Sequence, residues 1–402
     1  MSEPKPSRLV VILARLLLVL FPFLLVALVM EVGLRCLGIT YPIWYQTDPE
    51  RGFALRPGYR GWFITEGKAP IAINRDGMRD REHALEKPAG VYRIAVLGDS
   101  FTEALQVRAD RTFWSVLERG LGQCGALQGK QIQVLNFGVS SYGTAQEYQT
   151  LHHHVWKYDP DLILIAFFGA NDVRNNARSL EQNDFMPYYV LRNGKLELDT
   201  SFRQSAVYQR QNSWKWALLR GVVDRSHLAQ YLNHIRSVVT RMRAEAGAAG
   251  GAGGELGLDS QVFQEPTEDR WREAWEVTEA LFRQIREEVQ AHGKELLVCT
   301  VSNALQTAAP ADREPYARQH GLDPFYPEER LVAAGRRDGY AVFNLARELQ
   351  RYGEEKRVVL HGFSKKQYGE GITSGHWNET AHQAAGELLA REVCRQVGSR
   401  SL

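Results

Sequence analysis

The sequence predicts a parallel, three-layer α/β domain that follows one N-terminal membrane-spanning helix. Short apolar runs typical of buried strands alternate with helical stretches from Tyr92 onwards, and this alternation favours a parallel sheet. The strand candidates are 93–97, 132–136, 162–167, 295–301 and 341–345. The helix candidates are 112–121, 145–157, 266–292 and 384–397.

The segment 9–30 is apolar over the roughly 20 residues that a helix needs to span a bilayer. Lys5, Arg8 and Arg15 lie towards its N-terminal end, which predicts that this end stays in the cytoplasm. A cleaved signal peptide is the alternative, but the following run, 31–35, has no small-x-small cleavage site. We therefore expect a signal anchor in the cytoplasmic membrane of a bacterium, with the rest of the chain outside.

The composition suggests three regions: a cytoplasmic tip and anchor at 1–38, a collar of short strands and turns at 39–90, and the α/β domain at 91–400. An insertion at about 200–265 separates the third strand candidate from the fourth. Within it, 214–242 is predicted to be helical, and the Ala/Gly tract that follows resembles a flexible linker.

The formal net charge is +2, with no clustered basic segment, so we expect no nucleic-acid partner. The four cysteines have no CxxC spacing, which argues against a zinc or redox motif. Cys299 lies in an apolar run and is expected in the core. Cys124 and Cys394 could pair in an oxidising compartment. No metal or organic cofactor is indicated.

The turn Gly98-Asp99-Ser100 follows the first strand candidate and precedes a helix. Ligands of open α/β sheets bind at this edge, and backbone N–H groups there favour negative charge. Ser100 is therefore a candidate nucleophile. The alternative is that Asp99 or Ser100 only caps the next helix.

Three further segments carry candidate site residues at the ends of predicted elements. The loop 136–143 follows the second strand, and its N–H groups could face a developing oxyanion. Asn171 follows the third strand and offers an uncharged amide donor. His376 precedes the final helix and is a candidate general base for Ser100, because a neutral imidazole can take and return a hydroxyl proton near neutral pH.

Other polar residues have simpler structural interpretations. The Asp-Gly turn at 76–77 predicts a packing hairpin, with cleft lining by Asn74 or Arg79 as the alternative. The run 152–154 is three histidines, but adjacent helical residues point in different directions, so a metal site is not expected. His382 is expected to pack or cap within the last helix.

The chain resembles the SGNH (GDSL-like) hydrolase family. The resemblance rests on Gly98-Asp99-Ser100, on Gly169-Ala170-Asn171-Asp172 and on the late His376, in that order and each beside the expected element, and it runs from about Tyr92 to Val397. The segment 74–82, Gln146 and the His-Trp-Asn run at 376–378 look like membrane-anchored bacterial members.

The resemblance implies a flavodoxin-like sheet, with Ser100 as nucleophile and His376 as base. It also implies an oxyanion hole formed by the Ser100 N–H, a loop N–H and the Asn171 side chain. The chain departs from the family pattern at Ser141, where a glycine is expected. Ser141 still has a backbone N–H, and Gly138 is a nearby alternative donor.

A second departure concerns the acid of the triad. Family members carry an aspartate two or three residues before the histidine, but this chain has Ser374 and Thr373 there. We hypothesise that Glu370 or a backbone carbonyl orients His376.

These features predict a membrane-anchored hydrolase outside the cytoplasm that acts on ester bonds, and the location favours an acylated envelope glycan or lipid as its substrate. Two alternatives stay open: a glycan O-acyltransferase that uses the same serine and histidine, and a non-catalytic binding or scaffold protein that lost the acid.

Overall fold

The computed structural model describes residues 7–247, 260–363 and 374–400. The strands are β1 Tyr45–Asp48, β2 Gly52–Leu55, β3 Arg60–Phe63, β4 Ala69–Ala72, β5 Val91–Gly98, β6 Gln131–Asn136, β7 Leu162–Phe167, β8 Tyr188–Arg192, β9 Lys195–Asp199, β10 Glu295–Thr300 and β11 Ala341–Phe343. The helices are α1 Arg8–Cys36, α2 Ser100–Glu103, α3 Phe113–Leu121, α4 Thr144–Thr150, α5 Gly169–Asn175, α6 Arg178–Glu181, α7 Ala206–Gln211, α8 Trp214–Arg225, α9 His227–Gly247, α10 Asp269–Ala291, α11 Ala304–Thr307, α12 Pro310–His320, α13 Tyr326–Asp338, α14 Leu345–Lys356 and α15 Glu379–Arg400.

Five strands form one parallel sheet in the order β6-β5-β7-β10-β11. The first strand of the sheet along the chain, β5, lies between the second and the third, which is the flavodoxin-like order. The predicted parallel α/β fold is therefore confirmed, and each of its five strands falls where the apolar runs predict it.

The sheet is covered on both faces, which makes the domain three-layered. On one face α3, α14 and α15 pack together, and on the other α10 packs against α4, α5 and α13. The inner strand β5 requires a helical layer on each face of the sheet, since Ile94, Ala95, Val96 and Leu97 are all fully buried. Only a strand covered from both sides can carry a continuous apolar run.

The collar consists of two antiparallel hairpins, β1–β2 and β3–β4. Their apolar residues form a second hydrophobic cluster that includes Leu105, just after α2, and Val139 and Tyr142 of the loop after β6. The collar therefore packs directly on the elements that follow β5 and β6 at the carboxyl edge of the sheet.

The chain divides into two compact units. One comprises the described residues 7–43 and 214–247, and the other comprises 44–213 together with 260–363 and 374–400. This division differs from the predicted regions in two ways. The helices of the insertion cluster with the N-terminal helix, and the collar belongs to the unit that contains the parallel sheet.

Several predicted helices differ in detail from those observed. The helix predicted at 145–157 is α4 followed by a π-helical turn, Leu151–Val155. The helix predicted at 214–242 is two helices, α8 and α9, with a break at Ser226. Most of the Ala/Gly tract lies outside the described residues.

Within the described residues, one helical segment, Ala14–Cys36, is long and apolar enough to cross a membrane. Cys124 and Cys394 form a disulfide with their Cα atoms 5.6 Å apart. This bond joins the end of the α3 region to α15, which pack on the same face of the sheet. Cys299 is buried and unpaired, as expected.

Candidate active site

Ser100 is the first residue of α2 and is separated from the end of β5 by Asp99 alone. Asp99 caps this short helix, since its Oδ1 accepts from the Phe101 N–H at 2.9 Å. Asp99 is therefore the residue that caps the helix, and Ser100 lies beside it at the first helical position. Gly98 is needed for space, because a Cβ there would lie 2.2 Å from Thr102 Oγ1.

The His376 ring lies next to Ser100, with Nε2 2.8 Å from Ser100 Oγ. The two residues are 276 positions apart in the chain. They meet because the segment before α15 returns to the carboxyl edge of the sheet, where β5 ends. The Phe101 ring packs against the imidazole, with the ring centroids 4.9 Å apart.

A carboxylate that sequence reasoning missed holds the other side of His376. Glu66 Oε2 lies 2.6 Å from His376 Nδ1, and Glu66 Oε1 accepts from the His376 backbone N–H at 2.7 Å. Both carboxylate oxygens of Glu66 thus form hydrogen bonds with His376. The atom Nδ1 is occupied by Glu66 and not by the hypothesised backbone carbonyl, while Glu370 lies outside the described residues.

Glu66 lies in the turn between β3 and β4, at the tip of a collar hairpin. The approach is close enough to require glycine at the facing position. A Cβ on Gly375 would lie 2.2 Å from Glu66 Oε1, and Gly375 has a φ of +94°, which favours glycine. The only local signal in the sequence is the Glu-Gly pair at 66–67.

Electrostatics at this contact favour an ionised carboxylate. Burial alone would raise the pKa of Glu66, but the hydrogen bonds and positive charge of His376 outweigh it and lower the pKa overall. An ionised Glu66 can only accept a hydrogen bond, so the proton of the neutral imidazole lies on Nδ1. Nε2 is then left without a proton and accepts a hydrogen bond from the Ser100 hydroxyl. His376 is thus held in the tautomer that a general base for a serine hydroxyl needs.

Two of the predicted oxyanion donors are backbone groups with no hydrogen-bond acceptor among the described residues. These are the N–H of Ser100, at the start of a helix, and the N–H of Ser141. Ser141 has a φ of +67°, a left-handed conformation that glycine adopts without strain. The chain keeps the backbone shape that suits a glycine there although it carries serine.

Gly138 does not serve as predicted, because its N–H donates to Asn136 Oδ1 at 2.9 Å. The third predicted donor, Asn171, is the third residue of α5, and its Nδ2 donates to Asp99 Oδ2 at 3.2 Å. This bond orients the amide beside the Asp99-Ser100 turn and uses one of its two hydrogens. We therefore correct the predicted donor set by removing Gly138.

The loop that carries Ser141 is fixed by a buried carboxylate, Glu103. Its oxygens accept from the Ser140 N–H at 2.6 Å and from the Tyr45 hydroxyl at 2.9 Å, and the Ser140 hydroxyl also contacts it. Burial raises the pKa of Glu103. Glu103 therefore ties α2, the loop and the collar together.

Three more carboxyl groups are buried under the same turn. Burial raises the pKa of Asp99 to about 6, against the hydrogen bond from Phe101 and the charge of His376. Burial also raises the pKa of Glu147 and of Asp172 well above the ordinary value. Glu147 and Asp172 are therefore neutral near pH 7 and do not oppose negative charge that develops beside Ser100. Asp99 loses its proton close to pH 6 and is largely ionised at pH 7.

The other predicted interpretations agree with simple packing roles. Arg79 is buried and donates to the carbonyl of Glu103 at 2.6 Å; Asn74 Oδ1 accepts from the Met78 N–H at 2.8 Å. His382 is buried and accepts from the Phe113 N–H at 3.2 Å.

The three adjacent histidines do not converge on one point. His152 contacts Glu288 at 3.0 Å, whereas His154 lies near Asp48 and Glu50, with ligand atoms within 4.8 Å of one another. Arg51 already pairs with Asp48 at 2.6 Å. Burial, and to a smaller extent the positive charge of Arg51, lowers the pKa of His154 to about 4. The cluster is thus an ion-pair network around Arg51.

No family model matches the chain, and no curated protein sequence matches it. Among solved structures, it is similar to an acetyl xylan esterase called AlAXEase (10% identity, TM-score 0.38, 75% of this chain and 99% of that one). It is also similar to a catalytic mutant of an acetylxylan esterase from Geobacillus stearothermophilus (13%, 0.37, 78% and 97%) and to TesA (12%, 0.36, 76% and 99%). Likeness at this level says nothing about what this chain acts on.

Proposed function

We propose that this protein is a membrane-anchored serine hydrolase that acts on ester bonds outside the cytoplasm. The observation that carries the proposal is the continuous chain of contacts from Glu66 through His376 to Ser100, 2.6 Å and 2.8 Å long at its two steps. A nucleophile, a base and a group that orients the base are the arrangement that activates a hydroxyl.

In the first step, Ser100 Oγ forms a bond to the carbonyl carbon of the ester, and its proton passes to His376 Nε2. The carboxylate of Glu66 stabilises the imidazolium that results. The carbonyl oxygen becomes negatively charged, and the donors beside it are the N–H groups of Ser100 and Ser141 and the amide of Asn171.

In the second step, the bond from the carbonyl carbon to the alcohol oxygen breaks. The departing alcohol takes the proton from His376 Nε2 and leaves the acyl group on Ser100. Water then repeats the sequence with His376 as its base, which releases the carboxylic acid and restores the Ser100 hydroxyl. Each proton that His376 accepts is returned, so no further reactant is required.

The extracytoplasmic location is supported by two features. The segment Ala14–Cys36 is long and apolar enough to span a membrane, and Lys5, Arg8 and Arg15 favour a cytoplasmic N-terminus. The disulfide Cys124–Cys394 suits an oxidising compartment. An acylated glycan or lipid of the cell envelope is the substrate class that such a location favours.

The alternative of a non-catalytic scaffold rested on the missing acid of the triad. Glu66 lies in the position of that acid, which favours an enzyme over a scaffold. An acyltransferase uses the same steps, with a sugar hydroxyl in place of water. The two activities are separated by the acceptor: a hydrolase releases free acid at the same rate with or without a glycan, whereas a transferase needs the glycan.

The test is hydrolysis of p-nitrophenyl acetate and of a peracetylated sugar by the full-length protein in detergent micelles. We expect Ser100→Ala and His376→Ala each to lower kcat/KM by more than about 10³-fold. The matched control for the histidine is His153→Ala, an exposed residue outside the site. Equal rates for the wild type, Ser100→Ala and His376→Ala would contradict the proposal.

A further inference from the structure

The pair of helices α8 and α9 joins the N-terminal helix α1 through a carboxylate. Glu31 of α1 accepts from the Ser226 hydroxyl at 2.8 Å and from the backbone N–H groups of His227 and Leu228 at 3.1 and 2.8 Å. The first N–H groups of a helix have no partner within it, so Glu31 caps α9 from a different helix. This contact explains the break at Ser226.

The residues that follow α1 also contact α9. Gln230 Oε1 accepts from the Thr40 hydroxyl at 2.6 Å and from the Tyr41 N–H at 2.9 Å. The Tyr41 ring stacks on His234, with centroids 3.9 Å apart. These contacts place the start of α9 at the C-terminal end of α1, where a chain anchored by α1 would leave the bilayer.

Beyond this junction, α8 and α9 carry apolar side chains that are exposed. On α9 they recur at intervals of three or four residues, which puts them on one face of the helix. We call the exposed apolar residues of both helices the apolar face of the pair. They are Leu232, Ile235, Val238, Val239 and Met242 on α9 and Trp214, Leu218, Leu219 and Val222 on α8.

The charges of the pair are mostly positive. The segment 214–247 contains six lysine and arginine residues and two acidic residues, Asp224 and Glu245. The basic residues are Lys215, Arg220, Arg225, Arg236, Arg241 and Arg243. Exposed apolar side chains, a tryptophan and excess basic residues on one helical element are typical of helices that lie in a membrane interface.

We propose that the apolar face of α8 and α9 lies in the interfacial layer of the bilayer that α1 spans, with the basic residues near the lipid phosphates. The inference rests on the proposed membrane anchoring by α1. Lipid is favoured over a protein partner because the pair begins at the end of the membrane-spanning helix and carries the opposite charge to phosphate. The insertion is then a second membrane contact of the chain.

The experiment places one environment-sensitive NBD fluorophore at a time on full-length protein in phospholipid vesicles. Cys36 is exposed and is first replaced by serine; Cys299 is buried and the other two cysteines are bonded to each other. Ile235→Cys tests the apolar face. Ser237→Cys is the matched control, because it is exposed on the same helix but about 200° away around it.

We expect aqueous iodide to quench the label at 235 at least about threefold less than the label at 237, and doxyl-labelled lipid to show the reverse order. Equal quenching of both positions by iodide would overturn the inference. A label at 235 that is shielded from iodide and from doxyl lipid alike would also overturn it, in favour of a protein cover.

Flotation of the vesicles in alkaline carbonate tests the anchoring by α1 separately from the placement of α8 and α9. A protein that floats while both labels contact water contradicts only the placement of α8 and α9. A protein that does not float contradicts the anchoring on which the inference rests.

Discussion

Replacement of Glu66 by glutamine keeps the shape of the side chain and removes its charge. If the amide oxygen keeps the His376 backbone N–H, the amide NH₂ faces Nδ1. That arrangement favours the tautomer with its proton on Nε2, which cannot accept the proton of Ser100. The variant also loses the negative charge beside the imidazolium.

The size of this effect can be worked from the contact. Glu66 and His376 are about three-quarters buried, with side-chain exposures of 25% and 28%. Opposite charges about 4 Å apart interact by about 4 kcal/mol in surroundings of this kind. A loss of this size in the transition state is about a 10³-fold decrease in rate.

The assay compares kcat and KM of Glu66→Gln with those of the wild type on p-nitrophenyl acetate. We expect kcat to fall by about 10³-fold with little change in KM, since Glu66 acts through His376. Glu86→Gln, an exposed glutamate of the same collar, is the matched control and should keep wild-type kcat. We also expect the loss in the double variant Glu66→Gln, His376→Ala to equal that of His376→Ala alone.

A kcat for Glu66→Gln within about threefold of the wild type would refute the reasoning, because a charge pair of this strength cannot be removed at so small a cost. Full additivity in the double variant would refute it in another way. It would show that Glu66 contributes without His376.

Three further predictions concern the support of the site and the fold. Gly375→Ala should lower kcat by more than about 10-fold and stability by about 1–3 kcal/mol, because its Cβ would displace the Glu66 carboxylate. Joint replacement of Cys124 and Cys394 by serine should lower the free energy of unfolding by about 2–4 kcal/mol, measured by denaturant titration. Burial raises the pKa of Glu328 from 4.5 to about 8, so this group stabilises the fold least at high pH. Between pH 5 and 8 the free energy of unfolding of the wild type should fall by on the order of 4 kcal/mol more than that of Glu328→Gln. The thermal midpoint of Glu328→Gln should therefore fall less over this pH range than that of the wild type.

Each of these variants has a matched control in the chain. Gly90 has a φ of +79° and open space around its Cβ position, so Gly90→Ala should leave kcat unchanged. Cys36→Ser and Glu355→Gln change exposed residues and should alter neither stability nor its pH dependence. A Gly375→Ala variant with wild-type kcat, an unchanged unfolding curve without the disulfide, or equal pH slopes with and without Glu328 would contradict the corresponding prediction.

The parts of the site that the sequence predicts are those encoded next to an element of the sheet. Ser100 follows β5, Asn171 follows β7, and His376 precedes α15, so a strand or helix pattern and one local motif suffice to place each of them. The loop donor Ser141 was predicted in the same way. The prediction that Gly138 is an oxyanion donor was wrong, because its N–H donates to the Asn136 side chain. No pattern of residue types encodes that contact.

The contacts that sequence reasoning missed are long-range. Glu66 is 310 residues from His376 in the chain and lies on a hairpin whose position depends on how the collar packs. The break between α8 and α9 depends likewise on Glu31, 195 residues before Ser226. In both cases a glutamate in an otherwise unremarkable local sequence gains its role only when two distant segments meet.

The most direct test of the central claim is covalent labelling by a fluorophosphonate, which reacts with activated serine hydroxyls, followed by peptide mass spectrometry. We expect one modified site, Ser100, in the wild type, with labelling slowed by at least about 100-fold in Glu66→Gln. Failure of the wild-type protein to react, or a label on Ser100 that forms equally fast without the Glu66 carboxylate, would contradict the account.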